Sequence, residues 1–136
     1  MRRSEALIDL SREHHQALVL SKQLAELEKQ PKAEQTAAWQ VLQPTLHKEL
    51  LPHFDEEEAL LAGLQLQDSH PLLMQLLAEH QQLKQYLASD STEVLAPLAA
   101  LLKQHVRFEE RELFNWLERE VGAARIAELR MARGRR

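Results

Sequence analysis

Apolar residues recur at i, i+3, i+4 and i+7 through four long stretches of this 136-residue chain, and that period commits most of it to amphipathic helix. The first stretch runs from about Ser4 to Lys29 with Leu7, Leu10, Ala17, Leu18, Leu24 and Ala25 on one stripe, and Gln30-Pro31-Lys32 breaks it. The second runs from about Ala33 to Ala62 on a stripe of Trp39, Leu42, Leu46, Leu50, Leu60 and Leu64, with Gly63 placed to cap its C-terminus. Asp68-Ser69-His70-Pro71 opens a third, reaching about Ala88, whose inward residues are Leu73, Leu76, Leu77, Leu83 and Leu87. Asp90-x-x-Glu93 reads as a capping box, with aspartate in the Ser/Thr place, for a fourth that carries Val94, Leu98, Leu101, Leu102, Phe108 and Trp116. Pro52 and Pro97 fall inside these patterns and are expected to kink their helices. Nothing alternates with period two and β-branched residues are scarce, so no strand is expected. The expected fold is all-α: an up-and-down antiparallel four-helix bundle over residues 1–122, then a short fifth helix and basic tail over 123–136.

Histidine interrupts each stripe where leucine is expected. His14 lies with Leu7, Leu10 and Leu18; His53 with Leu42, Leu46, Leu50 and Leu60; His80 with Leu73, Leu76 and Leu87; His105 with Val94, Leu98, Leu101 and Trp116. Each predicted helix therefore turns one imidazole to the core, while His15 and His47 fall on the flanks and His70 in a loop. Two of the inward histidines carry a glutamate one turn later, His53-x-x-x-Glu57 and His105-x-x-x-Glu109, on the same helix face. With 17 glutamates in the chain, seven histidines give about one such pair by chance, so the facing carries more weight than the count. The levels agree as well. The turn between the second and third helices centres near residue 66 and the midpoint of 53 and 80 is 66.5; the next turn centres near 90.5, against 92.5 for 80 and 105. The first hairpin fits less closely, by about 7 Å of helical rise. An internal echo selects the same residues: Glu13-His14-x-Gln16 matches Glu79-His80-x-Gln82, and His53-Phe54-x-x-Glu57-Glu58 matches His105-Val106-x-x-Glu109-Glu110.

An unpaired buried polar group costs roughly 2–7 kcal/mol, and a whole domain is stable by only about 5–15 kcal/mol. Four imidazoles and two carboxylates in one core layer therefore need a closed hydrogen-bond network or a metal, and the donor set favours metal. The chain has no cysteine, which excludes thiolate sites and disulfides, and its three glycines are too scattered for a phosphate loop. Imidazole with carboxylate suits iron, manganese or zinc. Six side chains exceed the positions of one tetrahedral zinc. Two octahedral ions need about twelve positions; four histidines, two bridging glutamates and one bridging oxo or hydroxo group fill about ten of them and leave about two open. The Glu-x-x-His scheme of ferritin-like di-iron proteins is a poor match, and no H-E-x-x-H occurs.

The ordered set His14, His53-x-x-x-Glu57, His80, His105-x-x-x-Glu109 closely resembles the hemerythrin-like (HHE cation-binding) family, over about residues 4–120. The resemblance implies a four-helix bundle with a non-haem di-iron centre, in which His14, His53, His80 and His105 are terminal ligands and Glu57 and Glu109 bridge. It departs at Leu76, where oxygen-carrying hemerythrins have a second histidine on the third helix; this counts against reversible oxygen carriage. Glu112, seven residues after His105, stands open between a ligand and a rim carboxylate, and the echo prefers His14 over His15.

The expected function is binding of, or reaction with, a small ligand (O2, peroxide or NO) at open iron positions, the iron moving between ferrous and ferric states in exchange with a redox partner protein. The alternatives are an iron store, donor or metal-responsive regulator without turnover, and a metal-free helical interaction bundle. No acid, base or substrate pocket for turnover is legible, and Glu56, Glu58 and Glu110 fall off the inner stripe and are read as solvated. Net charge is −4, with five arginines against Glu128 between residues 125 and 136; the remaining body is acidic, which argues against nucleic acid as a partner. The basic end is read as a frayed tail. No apolar run approaches the roughly 18 residues of a membrane span, and Met1-Arg2-Arg3-Ser4-Glu5 does not read as a signal peptide, so no membrane partner and a cytoplasmic location are expected.

Overall fold

The computed structural model describes residues 3–134; Met1, Arg2, Arg135 and Arg136, and the side chain of Arg133, lie outside them. Among the described residues the chain is helical, with no strand. Helix α1 is Glu5–Leu27, α2 Lys32–Gly63 and α3 Pro71–Ala88. A 3-10 turn, Thr92–Val94, leads into α4, Leu95–Phe108. The helix then runs on through a π segment, Glu109–Leu113, a short α turn, α5 (Phe114–Trp116), and a second π segment, Leu117–Val121. Gly122, at φ 89°, breaks the run before α6, Ala123–Gly134. Helix α1 packs on α2 and α4, α3 packs on α2 and α4, and α6 lies against α1 and α2. Helices α1 and α4 are antiparallel: Ser21 Oγ donates to the Ala99 carbonyl at 2.7 Å, while His14, two turns earlier, meets Glu109, beyond the end of α4. Among the described residues no helix is long and apolar enough to cross a membrane.

Several local expectations are corrected. Gly63 is the last residue of α2 rather than its cap; the left-handed residue after the helix is Gln65, at φ 56°. A side chain at 63 would stand 2.8 Å from Leu129 Cδ2, so glycine there admits α6. Ser91, not Asp90, caps the fourth helical run, its hydroxyl accepting from the Glu93 N–H at 3.2 Å. Pro97 is the third residue of α4 and the sixth of the run that Ser91 caps, and the helix continues through it. Pro44 and Pro52 do lie inside α2, yet the helix continues through both. Each is exposed, and the carbonyls they leave free, those of Gln40 and Lys48, belong to exposed residues that water can reach. Leu18, Ala25 and Leu77 are exposed rather than inward.

As far as the described residues reach, the C-terminal segment is docked, not frayed; Arg135 and Arg136 of the expected tail lie outside them. Ile126 is fully buried, and the Arg130 guanidinium donates to the Ala6 carbonyl at 2.7 Å and grips the Asp9 carboxylate through both Nη atoms. Helix α2 caps α3 sideways. The Gln43 amide donates to the Leu87 and Ser89 carbonyls, His47 Nε2 to the Leu87 carbonyl at 2.7 Å, and Trp39 Nε1 to the Ser89 carbonyl at 3.0 Å. These contacts satisfy carbonyls that a helix end leaves open, and they give the flanking histidine of α2 a structural task.

Two apolar clusters fill the interior. One gathers Leu20, Leu24, Trp39, Leu46, Leu50, Leu83, Leu98 and Leu102; the other Leu7, Leu10, Leu60, Leu61, Leu76, Leu113, Phe114 and Ile126. Where they meet, the buried polar residues are His14 on α1, His53 and Glu57 on α2, Glu79 and His80 on α3, and His105 and Glu109 on the fourth helical run. The polar layer is thus sealed above and below by hydrocarbon.

Candidate metal centre

The six residues expected from the sequence meet in that layer, each almost wholly buried. They divide into two groups of converging ligand atoms: His14, His53, Glu57 and Glu109, and Glu57, His80, His105 and Glu109. Within each group the atoms lie within 4.8 Å of one another, and both glutamates belong to both groups. Glu57 spans the pair with one oxygen to each side. Its Oε2 lies 2.9 Å from His53 Nε2 and 3.2 Å from His14 Nε2, and its Oε1 lies 3.1 Å from His80 Nε2. Glu109 Oε1 sits between His14 Nε2, at 2.9 Å, and His105 Nε2, at 3.0 Å. The mismatch expected between α1 and α2 is absent: the His14 and His53 rings are 4.9 Å apart. The level rule assumes a tight hairpin, whereas α1 packs chiefly along α4.

Behind the imidazoles stands an outer ring of carboxylates. His14 donates from Nδ1 to Glu110 at 2.7 Å, His80 to Glu58 at 2.7 Å and His105 to Glu79 at 2.7 Å. His53 Nδ1 has only Glu13, at 3.5 Å and half exposed, and makes no hydrogen bond. Ser11 and Arg3 also hold Glu110, and Gln75 and Gln104 hold Glu79. Glu58 and Glu110 are therefore bonded to the imidazoles of the layer rather than free in solvent, although each side chain stays partly exposed. Reasoning by inner stripe missed them, along with Glu13 and Glu79. The signal was in the echo, which repeats Glu13 as Glu79 and Glu58 as Glu110. Glu112 and His15 are exposed and stand outside both groups, and Leu76 is buried without offering a donor.

A carboxylate on Nδ1 fixes the tautomer, leaving Nε2 as a lone pair aimed inward. Those lone pairs face one another and face carboxylate oxygens: His80 Nε2 and His105 Nε2 are 3.1 Å apart. Such a gathering of acceptors needs positive charge between them, which metal ions or protons can supply. With bonds of about 2.0–2.2 Å to one ion, neighbouring donors lie roughly 2.9–3.5 Å apart. The His14, His53 and His80 contacts to Glu57 and the His14 and His105 contacts to Glu109 have this spacing, while His105 Nε2 to Glu57 Oε1 is wider at 3.9 Å. Two further atoms have the same character: His53 Nε2 and Glu109 Oε2 are buried with no hydrogen-bond partner. In the metal-free chain, protons take the cations' place. Burial pushes the His14 imidazole down, but its hydrogen bonds to Glu109, Glu110 and Glu57 outweigh that and raise it to about 11. Burial and then the Glu57 charge act in the same opposed way on His53, which rises to about 9. His105 is held well above the ordinary imidazole value by Glu109, against burial. Burial alone would raise Glu57, yet its bonds to Glu109 and the imidazole charges hold it well below the usual carboxylate range.

Aromatic rings close the layer. Phe54 stacks on His80 at 4.3 Å, and Phe114 on His14 at 5.0 Å. The π segment begins at Glu109 itself, a place where such wider turns often mark function. Comparison with protein-family models, with curated proteins and with solved structures finds no match for this chain.

Proposed function

We propose that this chain is a hemerythrin-like, up-and-down four-helix bundle that holds two non-haem irons and binds, or reacts with, a small ligand such as O2, peroxide or NO. The observation that carries the reading is the pair of overlapping donor groups sharing Glu57 and Glu109. His14 and His53 would hold one ion, His80 and His105 the other, with both carboxylates common to the two. Leu76 is fully buried and adds no donor, so each ion has the same two-histidine complement. Bound iron supplies one-electron chemistry and open positions for a small ligand.

The chain's own residues do the rest. Glu58, Glu79 and Glu110 hold their imidazoles by Nδ1–H and keep Nε2 basic. Six carboxylates around four imidazoles give the layer the negative charge that two multivalent cations neutralise. Phe54 and Phe114 hold bulk water off the rings. The test is metal content together with the near-ultraviolet spectrum, before and after ferrous iron is added in air. Two irons per chain with new charge-transfer absorption are expected. Zinc without such bands keeps the paired site but removes the redox chemistry, and absence of metal overturns the reading.

A further inference from the structure

On the outer side of α1 and α4 lies an open groove of about 680 Å³. Its wall from α1 presents Leu18, Ser21, Lys22 and Ala25; its wall from α4 presents Ala96, Ala99, Ala100 and Lys103. The α1 residues are spaced i, i+3, i+4, i+7, and so are those of α4, so each wall is one straight helical stripe. Small side chains on both stripes let a third body approach the backbones closely. The lining extends over 12 residues of chain on each side, from 18 to 29 and from 96 to 107, about 16 Å at helical rise. Leu18, an expected core residue, is 38% exposed here.

The rim is predominantly basic. Lys22, Lys29, Lys103 and Arg107 line it, against the single carboxylate of Glu28. None of the four cations makes an ion pair among the described residues, although the chain as a whole is acidic at −4 and pairs Arg3, Arg119, Arg125 and Arg130. An apolar trough three helical turns long between unpaired cations fits one kind of occupant. We infer that this groove docks an acidic amphipathic helix of a partner protein, its leucine-sized residues at i, i+3, i+4 and i+7 in the trough and its glutamates or aspartates on the four cations. A second copy of this chain does not fit, because groove against groove would set the two cation rims face to face. A single small amphiphile fits less well, because the trough is open along its length and would leave much of such a ligand in water. The inference does not depend on the metal. Lys103 and Arg107 flank His105 on α4, so a docked partner contacts the helical run that carries His105 and, just past α4, Glu109, half of one donor group.

The probes are two synthetic helical peptides of about four turns with leucine at i, i+3, i+4 and i+7, one with glutamate and one with lysine at the remaining positions. Fluorescence anisotropy on the full chain should show the glutamate peptide binding at least about tenfold tighter than the lysine peptide, with affinity falling as salt rises. Lys103→Glu and the groove-filling Ala100→Trp, both at exposed positions, should each weaken the glutamate peptide at least about tenfold with unchanged helical circular dichroism. Equal binding of the two peptides, or indifference to both substitutions, overturns the proposal. So does displacement of the peptide by dodecanoate at stoichiometric concentration, binding of anionic vesicles without binding of the peptide, or a dimer in sedimentation that Ala100→Trp dissolves.

Discussion

His80 and His105 point their Nε2 atoms at one another across 3.1 Å, while a glutamate from a neighbouring helix holds each ring from behind at 2.7 Å, Glu58 on His80 and Glu79 on His105. Two nitrogens so placed can share one proton at most, because two N–H groups aimed along that line would collide. The arrangement is stable with a cation between the rings and poor without one, and the shared glutamates extend the same logic to His14 and His53.

Sharing makes the ligands unequal under mutation. Glu57→Ala removes a donor from both groups and is expected to abolish tight binding of both ions. His53→Ala strips only the group that contains His14, so one of the two ions should remain. Equilibrium dialysis against ferrous or zinc ion, with metal counted per chain, separates these cases. Equal loss in the two variants would sink the paired assignment.

The outer ring grades the histidines. Glu79→Gln and Glu58→Gln each remove a charged acceptor held at 2.7 Å, and metal affinity in competition with a chelator should fall about 10–100-fold. Glu13→Gln should change it far less, because Glu13 is half exposed and stands 3.5 Å from His53 with no hydrogen bond. An equal effect at Glu13 would show that distance does not set the contribution.

Metal-free protein should respond to pH with a definite sign. His53 and His14 are raised to about 9 and about 11 in the folded chain, against 6.5 for the ordinary imidazole. Their contribution to stability is complete below the ordinary value and is lost as pH rises through the folded values. The melting temperature of the metal-free chain is therefore expected to fall from near pH 6.5 through 9 toward 11. The metal-loaded chain should stay flat over the same window, and loading at neutral pH should release protons. A flat metal-free profile would remove the protonated imidazoles from the account.

Helix α6 is expected to belong to the folded unit. Ile126→Ala empties a fully buried position and should cost about 2–5 kcal/mol in denaturant unfolding. Arg130→Ala, which loses the Asp9 ion pair near the surface and the hydrogen bond to the Ala6 carbonyl, should cost less, about 1–2 kcal/mol. A negligible effect at Ile126 would mean that α6 detaches before the rest unfolds.

The helical period and the four inward imidazoles were legible because burial at a 3.6-residue repeat leaves a plain mark, and all six site residues lie where that mark points. Leu18, Ala25 and Leu77 misled because an apolar stripe does not say where its edge falls; Leu18 and Ala25 turn out to line a groove. Glu58, Glu79 and Glu110 were hidden for the opposite reason. A carboxylate that reaches an imidazole on another helix sits at the flank of its own stripe, and only the repeat between chain halves marks it. The π segments at Glu109–Leu113 and Leu117–Val121 left no residue signature at all, since a wider turn is set by what the helix packs against.

The outer carboxylates also run in order around the molecule. Glu13 on α1 approaches His53 on α2, Glu58 on α2 holds His80 on α3, Glu79 on α3 holds His105 on α4, and Glu110, just beyond α4, returns to His14 on α1. Each helix latches the next and the last latches the first, with a loose catch only at Glu13. Two of the four latches cross from one half-chain to the other, as do both shared glutamates. The halves are thus like two hands clasped by their own fingers, and the connection from Leu64 to His70 has only to keep them in reach. Cutting that connection should leave two fragments that find each other, and a doubled single half carries the pattern for closing the same circle about a two-fold axis.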